Sequence, residues 1–158
     1  MCKKIKPYVA SVALALSVGG ASALLSKRGI YLFQNIEKPL LTPPGIVFPI
    51  VWTLLYTLMG ISAAIIFEKR AEQREKVTAS LRIYALQLAV NFLWSLIFFN
   101  ARAFLAAFTW LLLLWILILV MLNRFGKISP MAARLQIPYL LWVSFAGYLT
   151  LAIYLLNK

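Results

Sequence analysis

One apolar segment of the chain carries polar side chains at a spacing that could form a ligand site. Gln87, Asn91 and Ser95 recur every four residues, so in a helix they lie on one face. The rings that edge this face are Tyr84, Trp94 and Phe98. Neutral amides and a hydroxyl between aromatic walls are typical of a site for a flat, largely hydrophobic molecule.

Two other apolar segments carry aromatic faces of the same kind. The earlier one contains Phe48, Trp52, Tyr56 and Ser62, and the later one contains Tyr139, Trp142, Ala146 and Thr150. We interpret these faces, together with Gln87 and Asn91, as the walls of one cavity. The alternative is structural, because amides in membrane helices often only join helices, at about 0.6 kcal/mol per bond. For Trp110 and Trp115 we favour a role as interfacial anchors, since no polar face accompanies them.

The residue inventory excludes several kinds of chemistry. The chain has no histidine and a single cysteine, Cys2, which excludes a metal or haem site built on histidine or paired cysteines. The apolar segments contain no Asp, Glu, Lys or His, the groups on which ion-coupled transporters and acid–base catalysts depend. We therefore predict no metal and no acid–base catalytic site.

The pattern of charged residues predicts the helices that position these side chains. Charged residues cluster and leave five uncharged stretches long enough to span a bilayer. With 63% hydrophobic and 13% charged residues, the chain is predicted to be an all-α integral membrane bundle of five transmembrane helices, forming a single domain over 1–158. The predicted spans are 8–25, 46–67, 80–99, 103–123 and 131–157. Pro138 predicts a kink in the last span, and the short Asn100–Arg102 turn predicts that the third and fourth helices lie antiparallel.

The first apolar stretch has two interpretations. Its basic start and the small residues of Ala21–Ala23 imitate a cleavable signal peptide. Small residues also recur at every fourth position, which is typical of a face on which membrane helices pack closely. They are Ser11, Ala15, Gly19 and Ala23. We therefore keep this stretch as the first helix.

The net charge of +12 is interpreted as a topology signal rather than a sign of nucleic-acid binding. Eleven of the 16 Lys and Arg residues fall on the side of the N-terminus: Lys3, Lys4, Lys6, Lys69, Arg70, Arg74, Lys76, Arg82, Arg124, Lys127 and Arg134. The positive-inside rule then places the N-terminus in the cytoplasm and the C-terminus outside. We expect the bilayer to be a bacterial cell membrane.

Two unusual segments border the second helix. Prolines at 39, 43, 44 and 49 are predicted to start this helix rather than break it, because a first-turn residue needs no N–H partner. After the helix, the charged run Glu68–Lys76 predicts a solvated helical extension with Glu72 and Lys76 paired at i, i+4.

The proline-rich loop and three of the predicted helices contain a series of short motifs. They are Lys38-Pro39, Thr42-Pro-Pro-Gly45, Val47-Phe-Pro-Ile-Val-Trp-Thr53, Tyr56 and Met59-Gly60; Gln87, Asn91, Trp94 and Phe98-Phe99; and Pro138-Tyr-Leu-Leu-Trp142, Phe145-Ala146, Tyr148 and Asn157. In these motifs the chain resembles the TspO/MBR family from Tyr31 onward. The resemblance implies a five-helix bundle, commonly a homodimer, whose cavity binds porphyrins such as protoporphyrin IX. In animal members it also implies cholesterol and synthetic ligands.

The resemblance also implies roles for particular residues. The loop Tyr31–Pro44 would close the cavity, and residues on helices two, three and five would face the ligand. With the faces described above, the predicted ligand-binding set is Tyr31, Phe48, Trp52, Tyr56, Gln87, Asn91, Trp94, Trp142, Phe145, Ala146 and Thr150. In some bacterial members the tryptophans that match Trp52 and Trp142 are implicated in light-dependent porphyrin breakdown, so these two are the candidate photochemical residues.

The chain departs from the family at three of these positions. Leu41 and Ile46 stand where the family usually has tryptophan, and Thr150 stands where asparagine is common. A weak sterol-type pattern is formed by Leu151, Tyr154 and Lys158. Two functions of other classes stay open at this point: a passive transporter or channel for small hydrophobic metabolites, and a membrane interaction protein without a ligand.

Overall fold

A computed structural model describes residues 2–158, with side chains from Ile5 onward, so the predicted topology residues Lys3 and Lys4 lie outside the described side chains. Within this range the chain is helical and has no strand. The helices are α1 Cys2–Leu32, α2 Val47–Glu68, α3 Arg74–Ser95, α4 Phe104–Gly126, α5 Pro130–Leu135 and α6 Ile137–Leu156. Five segments of the described chain are long and apolar enough to cross a membrane, which confirms the predicted helical membrane bundle.

The first helix is longer than predicted. α1 continues to Leu32, past the predicted end at 25, and a 3-10 turn Phe33–Asn35 follows it. The charges of Lys27 and Arg28 do not stop it, because both side chains are exposed and the next proline is Pro39. The prediction that the loop begins at Tyr31 is therefore wrong, since this residue lies in the last turn of α1.

Close packing of α1 on α2 is achieved through small residues. A Cβ added to Gly60 would lie 2.5 Å from the Cα of Val12, and one added to Gly19 would overlap the ring of Tyr56. Ala15 is fully buried at this contact, but the predicted Ala23 is exposed. A four-residue repeat drifts about 40° per step around a 3.6-residue helix. The buried face therefore continues through Ser22, Ser26 and Gly29 instead.

The prolines act at the start of α2 as predicted. Pro44 lies just before the helix, where its carbonyl accepts from the N–H of Val47 at 2.9 Å, and Pro49 lies in the first turn. At the other end the prediction for the charged run is wrong. A 3-10 turn Lys69–Ala71 follows α2, and Gln73 has a non-helical backbone, so Glu72 and Lys76 do not share a helix. Glu72 instead approaches Lys69 at 3.7 Å.

The remaining helices pack as an antiparallel series. α3 ends in a π-helical turn Leu96–Asn100 and packs on α4, as the short turn predicted, and α4 in turn packs on α6. The predicted kink at Pro138 is confirmed as a local interruption of the last span at Gln136, between α5 and α6, where the backbone stays close to helical at φ −92° and ψ −8°. The break lets α5 pack closely on α2, whereas α6 makes no comparable backbone approach to α2.

Candidate ligand site between α2, α3 and α6

A buried polar layer lies at the centre of the bundle. The hydroxyl of Tyr139 donates to Oε1 of Gln87 at 2.7 Å, and Nδ2 of Asn91 donates to the hydroxyl of Tyr56 at 3.0 Å. All four side chains are at least nine-tenths buried. These two bonds join α3 to α6 and α3 to α2, so α3 is the common polar wall between the other helices.

Several hydrogen-bonding atoms in and around this layer have no partner within the described residues. They are the hydroxyl of Tyr84, Nε2 of Gln87, Nε1 of Trp94, and both amide atoms of Gln136. Buried polar groups in native proteins are nearly always paired, because an unpaired one costs about 1–3 kcal/mol. These unpaired atoms are the candidate polar contacts of the site.

Aromatic rings bridge the space between α2 and α6. The ring centroids of Phe48 and Trp142 are 5.9 Å apart, and those of Trp52 and Tyr139 are 6.4 Å apart. Phe145 continues this wall, 5.7 Å from Trp142. Because the backbones of α2 and α6 do not pack here, large side chains alone fill the opening. We call this ring-filled space the α2–α6 crevice.

Two attachments hold the segments around α2 and α6. The hydroxyl of Ser62 on α2 donates to the carbonyl of Ala132 on α5 at 2.7 Å. After the end of α6, Asn157 holds the loop that follows α1 through both backbone groups of Glu37, at 3.2 Å to the N–H and 2.9 Å to the carbonyl. Phe33 packs beside this attachment on the ring of Phe98, at 5.4 Å.

Hydrogen bonds and ring contacts connect seven of the eleven predicted ligand residues, Ala146 lies one turn beyond Trp142 on α6, and the other three are placed otherwise. Tyr31 is 69% exposed at the end of α1 and joins none of the ring contacts of the crevice. Trp94 is buried and stacks on Phe98 at 5.2 Å, next to the loop attachment. The hydroxyl of Thr150 donates to the carbonyl of Ala146 within α6, at 2.7 Å. This hydroxyl is therefore not free to donate a hydrogen bond to a ligand.

Sequence reasoning also missed some residues and gave others the wrong role. Gln136 lies at the helix break and is fully buried, a position that its place two residues before Pro138 could have indicated. Ser95, predicted on the ligand face, instead contacts Ser26 of α1 at 2.9 Å. Trp110 and Trp115, interpreted as interfacial anchors, donate their indole N–H groups to neighbouring helices.

A groove of about 900 Å³ lies elsewhere, between the start of α4 and the end of α6. It contains none of the predicted ligand-binding residues. Of the sterol-type pattern, Tyr154 and Lys158 line it, whereas Leu151 does not. The crevice and this groove are therefore separate features of the bundle.

Comparisons with known proteins match almost the whole chain. The TspO/MBR family matches residues 10–156. The "Tryptophan-rich protein TspO" of Chlorobaculum tepidum is 36% identical over 158 residues, covering 99% of both chains. "Protein CrtK" of Rhodobacter capsulatus is 32% identical over 91% of this chain and 89% of its own. The "Translocator protein" of Sus scrofa is 31% identical over 96% of this chain and 92% of its own.

Proposed function

The chain belongs to the TspO/MBR family, and on this premise we propose that it binds a porphyrin-type tetrapyrrole in the α2–α6 crevice. Its five long apolar helices and its relatives make it an integral membrane protein. Within the membrane it would act as a sensor, a carrier or a slow light-dependent degrader of the bound pigment.

The unpaired polar atoms of α3 are the observation that carries this proposal. Nε2 of Gln87 and the hydroxyl of Tyr84 are buried donors without partners. A porphyrin such as protoporphyrin IX combines a flat apolar ring with carboxylate side chains. The ring suits stacking against Trp52 and Trp142, and its polar groups suit the unpaired donors of α3.

Ligand entry requires the rings of the crevice to move. Phe48, Trp52 and Trp142 are only partly buried, and each belongs to a helix whose backbone does not pack on the other across the gap. Side-chain rotation can therefore open the space without separating helices that are in close contact. The family resemblance implies that the loop after α1 closes the cavity, and Asn157 holds this loop at Glu37, so we expect its release to be the second movement that entry needs.

The test of binding is a titration of protoporphyrin IX into purified protein, followed by quenching of porphyrin fluorescence. We expect saturable quenching in the wild type. In a Gln87→Leu/Tyr139→Phe variant, both partners of one buried bond are removed together, so the empty protein should keep its stability while the donor to the ligand is lost. Affinity should fall by about 1–3 kcal/mol. Unchanged affinity in this variant would contradict the proposed site.

The photochemical role rests on the two tryptophans of the crevice. An electron-rich indole stacked on an excited macrocycle can react with it without a metal or an acid–base pair. Under illumination, Trp52→Phe/Trp142→Phe should abolish the loss of the porphyrin absorption band, whereas Trp110→Phe/Trp115→Phe, whose rings lie outside the crevice, should not. Bleaching that continues in the first variant would remove the photochemical role and leave binding intact.

We further propose that the N-terminus faces the cytoplasm of a bacterial cell, from the charge bias between the two ends of the spans. Cys2 is the single cysteine, so a membrane-impermeant maleimide should label it only after the cells are opened. In the matched variant Cys2→Ser/Lys158→Cys, the reagent should label intact cells. The reverse pattern would show the opposite orientation.

A further inference from the structure

The groove between the start of α4 and the end of α6 combines an apolar wall with basic residues at its rim. Its walls are apolar along the part that lies within the spans, where Phe104, Trp110 and Leu113 of α4 face Tyr154 of α6. At about 900 Å³ it is larger than the second groove, of about 300 Å³, beside Arg70 and Arg82 at the other end of the bundle.

Most of the polar side chains that line the groove are already engaged. Thr109 donates to the carbonyl of Leu105 at 3.1 Å, and Trp110 donates to the carbonyl of Val90 at 2.8 Å. Asn157 is held by the loop at Glu37. Because these polar atoms are bonded elsewhere, the walls present mainly apolar atoms to the groove. The hydroxyl of Tyr154 is a further neutral polar group among the lining residues.

Two cations remain at the rim, and both lie at the membrane boundary. Arg102 precedes the span that begins at Phe104, and Lys158 follows the span that ends at Leu156. No acidic residue lines the groove, and neither cation forms a salt bridge within residues 5–158. The side chains that line the groove are thus positive at the level of the lipid headgroups and apolar at the level of the acyl chains, and Glu37 lies beside this rim through its backbone bonds to Asn157.

The backbone at Arg102 supports a role for its side chain. Its φ of 52° lies in the left-handed region and is the one positive φ of a non-glycine residue among the described residues. Glycine or asparagine adopts this conformation at lower cost, so an arginine here is strained by roughly 1–2 kcal/mol. Beside it, Ala103 cannot cap the first-turn amides of α4, which adds positive potential at the same rim.

We propose that this groove binds an anionic phospholipid of the surrounding bilayer, with its phosphate between Arg102 and Lys158 and an acyl chain along Trp110 and Leu113. A sterol would use the apolar wall but leave both cations without a partner. A free phosphate ion would use the cations but not the wall. A glycerophospholipid with a net negative headgroup suits both parts of the groove. Its phosphate would lie at the depth of the two cations, and its acyl chain would lie at the depth of the apolar wall.

The test uses Trp110 as the reporter, because brominated acyl chains quench tryptophan only on contact. The full chain is placed in phosphatidylcholine vesicles that contain brominated phosphatidylglycerol or, in parallel, brominated phosphatidylcholine. Subtracting the signal of a Trp110→Phe variant isolates this ring from the other tryptophans. We expect phosphatidylglycerol to quench Trp110 at a lower mole fraction, with a preference of about fivefold for each rim cation.

Charge variants test whether Arg102 and Lys158 bind the lipid phosphate. Arg102→Gln/Lys158→Gln should remove the preference, whereas Arg124→Gln/Lys127→Gln, at the opposite end of α4, should keep it. Arg102→Gly removes one charge and the backbone strain together, so it should lose about fivefold in preference without losing thermal stability. Equal quenching by the two lipids in the wild type would overturn the proposal, as would a preference that survives the double neutralisation. Equal displacement of both lipids by added sterol would also overturn it.

Discussion

Replacing Gly60 with alanine should push α1 and α2 apart. The added Cβ would lie 2.5 Å from the Cα of Val12 and 2.8 Å from its nitrogen. Carbon atoms in contact normally stay about 3.5–4.0 Å apart, so the overlap is about 1 Å. Both atoms of Val12 belong to the backbone, so no side-chain rotation can remove the clash and one helix must shift.

The expected cost is about 1–3 kcal/mol, the usual range for overpacking a close contact. The displacement should also reach the candidate ligand site, because Tyr56 lies one turn before Gly60 on α2 and accepts the hydrogen bond of Asn91. Gly20 provides the matched control, since a Cβ added there meets nothing within 4 Å. Gly20→Ala should be neutral, or stabilising by up to about 1 kcal/mol.

Thermal unfolding of both variants in one detergent, followed by far-ultraviolet circular dichroism, measures the difference. The packing argument requires a lower transition temperature for Gly60→Ala and an unchanged or higher one for Gly20→Ala. If the two variants unfold at the same temperature, the close approach of α1 and α2 is not what holds them together.

Three further changes test other parts of the structure. Asn157→Leu removes both bonds from α6 to the loop at Glu37 and should make the loop cleavable by protease at lower concentration; equal protection would show that other contacts hold it. Tyr139→Phe alone should destabilise by about 1–3 kcal/mol because Oε1 of Gln87 is left unpaired, and adding Gln87→Leu should recover most of that loss; additive losses in unfolding measurements would contradict the bond. Trp115→Phe, whose bond partner is exposed, should cost at most about 1 kcal/mol, and a larger loss would show that its ring is a packing residue.

The helices were predictable from sequence because charge and apolar length are local properties. The ends of the helices were less so. α1 continues past Lys27 because an exposed lysine at the bilayer boundary does not interrupt backbone hydrogen bonds. The charged run after α2 breaks at Gln73 because the chain must turn there toward α3, a requirement of the tertiary fold that no local pattern expresses.

The composition of the site was partly predictable, and its geometry was not. The four-residue spacing placed Gln87 and Asn91 together on the buried face of α3. The same spacing also placed Ser95 there, but this residue bonds to α1, because a strict four-residue repeat drifts around the helix. The crevice itself depends on the break at Gln136, which turns α5 toward α2 and leaves α6 apart from it. Pro138 predicts that a break occurs, but not which helix each half will contact.

The most direct measurement is the affinity of protoporphyrin IX for two phenylalanine variants of α6. Ala146 is partly buried among the residues that pack on the core, one turn beyond Trp142, whereas Leu141 is 64% exposed on the outer side of the same helix. If the tetrapyrrole binds in the α2–α6 crevice, Ala146→Phe should fill part of its space and weaken binding by about tenfold or more. Leu141→Phe should bind like the wild type. Equal affinity of the two variants in fluorescence titrations would contradict the central claim.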